Sequence, residues 1–133
     1  NKQAQKLIRV TEASLLEALK QLRSGTRVGD IGAAVQEYVE TNGFSVVRAL
    51  TGHGVGHAVQ EGPAIPNFGK AGTGGKFIAG QVVAIEPMVN EGVSEVEFLD
   101  DGWSVVTADG KLSAHFEHTV LVTERGCEVL TQL

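Results

Sequence analysis

The sequence predicts an α+β domain, two amphipathic helices packed on a curved antiparallel sheet. Three observations lead there. Apolar residues between positions 4 and 41 recur at helical spacings on one face. Beyond Gly43 they gather instead into short, valine-rich runs separated by glycine-rich turns. The chain has 133 residues, 42% of them hydrophobic, which suits a single domain over 1–133 with its own core.

The first helix is expected over 4–23, with Ala4, Leu7, Ile8, Leu15, Leu16, Ala18, Leu19 and Leu22 turned inward and Ser24-Gly25 ending it. A second is expected over 29–41, with Ile31, Ala34, Val35, Tyr38 and Val39 inward and Asn42-Gly43 as its stop. "FSVVRAL" then reads as a strand, and residues 62–76, with Pro63, Pro66 and several glycines, as a loop. "QVVAIEPMV", 81–89, is apolar on both faces and reads as a doubly buried strand. "WSVVTADGKLSAHFEHTVLVT" reads as a hairpin turning at Asp109-Gly110, and "CEVLT" as a short last strand.

Composition excludes some classes of function. The net charge is −5 and the basic residues are scattered, so no electrostatic footprint for nucleic acid exists. No run is apolar enough for a membrane span. Glu91, Glu95, Glu97, Asp100 and Asp101 read as a solvated connection. Cys127 is the single cysteine, so no internal disulfide forms, and a reducing, cytoplasmic setting is expected. The chain begins at Asn1, which predicts a processed product or an excised portion of a longer protein.

The chemistry concentrates in three places. "TGHGVGHAVQEGP" is too rich in Gly and His for an ordinary helix or core strand, and predicts backbone passing close to something with His53 aimed at it. Glu86 lies inside an apolar strand, where an unpartnered carboxylate costs several kcal/mol. Either a metal or a buried arginine could meet its charge, the candidates being Arg9, Arg23, Arg27, Arg48 and Arg125. Along a strand at 112–122, Ser113, His115, Glu117 and Thr119 share one face and Leu112, Ala114, Phe116, His118, Val120 and Val122 the other. That alternation makes Glu117 a polar-face carboxylate, gives His115 a solvent-facing role, and makes His118 a hydrogen-bonded core histidine. An imidazole and two carboxylates suit Mn, Co, Fe or Zn.

"TGHGVGHAVQEGPAIPNFG", "GQVVAIEPMV" and "DGWSVVTADGKLSAHFEHTVLVT" together resemble, in order and spacing, the C-terminal half of the type I methionine aminopeptidases. The two preceding helices match as well, so the resemblance covers essentially the whole chain and implies half of a pita-bread fold. "IEPM", "SAHFEHT" and Trp103 favour that branch over the proline-specific peptidases. The resemblance implies removal of the N-terminal methionine from nascent peptides by metal-dependent hydrolysis. It assigns His53, Glu86 and Glu117 to the metal, Glu86 also to the catalytic proton, and Trp103 to the mouth of the methionine pocket.

Two departures accompany it. Gln60 stands where the family has a histidine touching substrate, and Gln donates a hydrogen bond without carrying charge. His57, three residues earlier, is a weaker substitute. The family's other two metal ligands are strand aspartates of the missing N-terminal half, whereas Asp30 sits at a helix start and Asp100, Asp101 and Asp109 in turns. Two metal ions are expected in the intact family and one or none here. The missing half, or a second copy of the chain, is an expected partner. The competing reading is a non-catalytic peptide- or protein-binding module on a decayed aminopeptidase fold.

Overall fold

The computed structural model describes residues 1–132. Helix α1 spans Lys2–Gln21 and α2 spans Val28–Thr41. The first begins two residues ahead of expectation because Asn1 caps it, its Oδ1 accepting from the Ala4 amide at 2.9 Å. Its buried stripe runs Leu7, Val10, Thr11, Ser14, Leu15, Ala18 and reaches Leu22. Ile8 and Leu16, expected inward, are each 49% exposed. Each follows a buried leucine and is rotated about 100° from it, off the stripe. Polar Thr11 and Ser14 hold the inward places instead, their hydroxyls donating to the Leu7 and Thr11 carbonyls at 2.7 Å.

At the start of α2 the Asp30 carboxylate accepts from the Arg27 amide at 2.8 Å and from the Gly72 amide at 2.7 Å, tying the helix to the segment that follows Ile65. Gly29 and Gly32 face that segment. A β-carbon at Gly32 would collide with the Phe68 carbonyl, and one at Gly29 with the Lys70 carbonyl, so only glycine lets helix and loop touch backbone to backbone.

The strands are β1 Ser45–Val46, β2 Gly52–Val55, β3 Glu61–Ile65, β4 Val82–Ile85, β5 Met88–Asn90, β6 Val96–Phe98, β7 Val105–Thr107, β8 Ser113–His115, β9 His118–Val122 and β10 Cys127–Val129. They form a five-stranded sheet β10-β9-β4-β2-β3, a three-stranded sheet β1-β5-β8 and a ribbon β6-β7, with every pairing antiparallel. Apolar residues of both helices pack with Val83, Ile85, Val89, Val120 and Val122 in one core. Among the described residues no helix is long and apolar enough to cross a membrane.

Three expectations need correction. Part of the expected loop at 62–76 is strand, since β3 runs Glu61–Ile65 along β2. The run 81–89 is two strands rather than one: β4 pairs with β2 and β9, β5 with β1 and β8. Pro87 has no amide hydrogen to give a ladder, and the break falls at Glu86-Pro87. The opposite strand breaks at the same level, between His115 and His118, so the pairs Ile85–His118 and Met88–His115 flank a gap in which Phe116 donates to the Pro87 carbonyl at 3.3 Å. Finally, Asp109-Gly110 does turn the chain, but β7 pairs back to β6 and β8 crosses to β5. The predicted hairpin therefore does not form.

Candidate metal centre

Every charged group of the site stands beside the gap in the two ladders or on the strand next to it. His53 is the second residue of β2, which lies between β3 and β4. Gly52 and Gly54 flank it on the opposite face, where a β-carbon would collide with the Ala84 and Gly62 carbonyls respectively. Those contacts explain the glycines of this stretch: neighbouring strands occupy the space that side chains would need. His53 Nδ1 lies 2.9 Å from the Gly54 carbonyl, a contact that places a proton on Nδ1 and leaves Nε2 facing the site. That Nε2 lies 3.4 Å from Glu86 Oε1.

Glu86 is buried, and the arginine weighed for it on sequence is not its partner. Among the described residues no arginine pairs with it; its Oε2 lies 3.2 Å from His115 Nε2. Its main-chain oxygen accepts from Asn67 Nδ2 at 3.0 Å. Glu117 follows on the broken opposite strand, with its Oε2 3.6 Å from the same His115 nitrogen. One ligand atom from each of His53, Glu86 and Glu117 falls within 4.8 Å of the others.

Burial, and then the Glu86 charge, raise the Glu117 pKa above the ordinary carboxylate range, with His115 pulling the other way. The hydrogen bond that His115 donates to Glu86 raises its own pKa, assisted by the two carboxylate charges and opposed by burial. Two carboxylates and an unprotonated ring nitrogen turned toward one point repel one another. A proton or a cation between them relieves that repulsion, and the donor set of one imidazole and two carboxylates fits a divalent transition metal.

The other residues fall outside this cluster. Gln60 and His57 lie in the exposed connection between β2 and β3, with no hydrogen bond to the three among the described residues. Trp103 is 85% exposed in the connection of the β6-β7 ribbon. His118 is hydrogen-bonded as expected, Nδ1 to Thr131 Oγ1 at 2.8 Å, but is only half-buried. Asp30, Asp101 and Asp109 are occupied by local backbone amides, so none reaches the cluster.

Two contributors escaped the sequence reading. His115 was given to solvent, although its place on the Glu117 face was the available signal. Asn67, buried between Pro66 and Phe68, gave none. Beside His115 opens a cavity of about 240 Å³, lined by Val47, Leu50, Met88, Val96 and Val105 among others.

Comparison with known proteins follows the same lines. The model of metallopeptidase family M24 matches residues 1–124. The chain is 54% identical over 131 residues to the methionine aminopeptidase of Clostridium perfringens, covering 98% of this chain and 53% of that protein. It is 49% identical over 128 residues to methionine aminopeptidase 1 of Bacillus subtilis, covering 96% of this chain and 52% of that one. The crystal structure of methionine aminopeptidase from Thermotoga maritima superposes with a TM-score of 0.97 at 47% identity, over 100% of this chain and 53% of that one. The chain thus spans about half the length of the curated relatives it matches, and the expected half of a pita-bread fold is the fold found.

Proposed function

The chain belongs to metallopeptidase family M24, and from that premise we propose that it forms the C-terminal portion of a methionine aminopeptidase catalytic domain, removing N-terminal methionine from nascent peptides. The observation that carries this reading is the convergence of His53, Glu86 and Glu117 within 4.8 Å. His53 through Nε2, and Glu86 and Glu117 through carboxylate oxygens, are the residues that would hold the divalent ion, Co, Mn, Fe or Zn. When bound, the metal supplies Lewis acidity toward the scissile carbonyl and toward water.

The remaining work belongs to the chain itself. Glu86 is the least exposed carboxylate of the set, its side chain at 10% against 40% for Glu117. Its burial supports the role of general base that the family resemblance gives it, taking a proton from water and returning it to the departing amine. The apolar cavity beside His115 supports a seat for an unbranched, thioether side chain such as methionine. The family resemblance gives Trp103 to the mouth of the methionine pocket and Gln60 to a hydrogen bond with the peptide that supplies no charge. The reading puts the protein in the cytoplasm, where nascent chains are met.

Three ligands leave a two-metal centre short of negative charge; Asp30, Asp101 and Asp109 are engaged elsewhere, and no aspartate of the described residues joins the cluster. Activity therefore depends on a segment contributing two further carboxylates. A second copy of this chain could cover exposed surface but would not bring them. The test is methionine release from a Met-Ala-Ser peptide with Co(II) or Mn(II), by the chain alone and mixed with the other half of the Clostridium perfringens relative. Release only in the mixture, lost again with His53→Ala, is expected. Absence of both metal binding and release in either sample instead favours a non-catalytic peptide-binding module, the reading that Gln60 motivates.

A further inference from the structure

We propose that His115 is a positioning residue of the metal centre, its Nε2 holding the outer oxygens of Glu86 and Glu117 so that their other oxygens stay turned toward the metal. The inference rests on the metal reading above. It starts from geometry: Nε2 lies 3.2 Å from Glu86 Oε2 and 3.6 Å from Glu117 Oε2, while Glu86 Oε1 lies on the His53 side, 3.4 Å from that ring. Glu86 therefore has an imidazole beside each oxygen, of which only His115 is placed to donate to it. His53 belongs to the group of converging ligand atoms and His115 does not, so the two rings have different tasks.

The fold fixes His115 firmly enough for this. It closes β8, directly opposite Met88 on β5, at the edge of the gap that carries both glutamates. A carboxylate beside such a gap lacks a regular strand on one side to restrain its side chain, and Glu117 is 40% exposed. Outer hydrogen bonds to ligating groups commonly set metal affinity by about ten- to a hundredfold. The one nitrogen donates to Glu86 and attracts the Glu117 charge across 3.6 Å, so the two carboxylates share a single positioning group.

The experiment is Co(II) titration of the full chain, followed by calorimetry and by the visible absorption of the bound ion. His115→Ala and His115→Gln are compared with the unsubstituted chain, and thermal melts in chelator monitor folding. His115→Ala is expected to weaken Co(II) about tenfold or more and to alter its absorption bands, while His115→Gln, which keeps a donor, stays within about threefold. If His115→Ala loses its cooperative melt, His115→Phe keeps the ring volume without its nitrogens and gives the same reading. Equal Co(II) affinity in the donor-less variant overturns the proposal, as does a Gln variant no better than Ala. The variants are compared in whichever sample binds Co(II), the chain alone or mixed with the other half of the Clostridium perfringens relative. Failure of both unsubstituted samples overturns the metal reading itself, which tells the two failures apart.

Discussion

The side-chain amide of Asn67 donates to the main-chain oxygen of Glu86 at 3.0 Å, where neither residue reaches water freely. This bond occupies a carbonyl that the interrupted ladder leaves without a strand partner. It ties the segment after β3 to the residue most central to the site.

Replacing Asn67 with Ala leaves that carbonyl buried and unsatisfied, which costs about 1–3 kcal/mol. Urea unfolding in the presence of chelator is expected to show a loss in that range. A midpoint unchanged from the parent chain would mean that the carbonyl finds another partner.

Glu86→Gln keeps the size of the side chain and removes its charge. Co(II) affinity is expected to fall by about a hundredfold or more, beyond the usual effect of an outer hydrogen bond. Glu95→Gln, in the exposed connection before β6, is the control and leaves binding unchanged. Calorimetric titration of the two variants side by side decides the matter.

Gly32→Ala places a β-carbon against the Phe68 carbonyl. The backbone there has little room to retreat, so a destabilisation of about 1–3 kcal/mol is expected, despite alanine's better helix propensity. Stability at or above that of the parent would show that the loop shifts freely.

Asp30 has its pKa lowered by hydrogen bonds from the Arg27 and, next, the Gly72 amides. A depressed folded pKa means that its contribution is complete above the ordinary carboxylate range and is lost as pH falls through the folded value. Asp30→Asn is therefore expected to flatten the acid limb of the stability profile, and the two melting curves should converge at low pH. Parallel curves across the acid range would contradict the assignment.

The sequence disclosed elements better than their connections. Both helices were legible because their apolar spacing and their stop signals are local. The pairing of Glu117 with His115 on one face was legible from alternation alone. The break at Glu86-Pro87 was hidden, because an apolar run looks the same whether it joins one sheet or two. His115 is exposed as expected, but its contact with Glu86 was hidden for a related reason: the two meet through pairing between distant segments. The Asp109-Gly110 turn was real, yet turn chemistry fixes a reversal and not which strand the chain then joins.

The strand order β9-β4-β2 has a consequence for the growing chain. Synthesis delivers β2 with His53 first, then β4 and Glu86, and Glu117 only with the start of β9. Until β4 appears, the histidine strand can pair only with β3. An immature polypeptide thus carries His53 without either glutamate, and these three donors converge only when the non-local ladder closes. An ion held by these three residues would in this way load at a late stage of folding, which would spare the nascent chain from capturing it in the wrong arrangement.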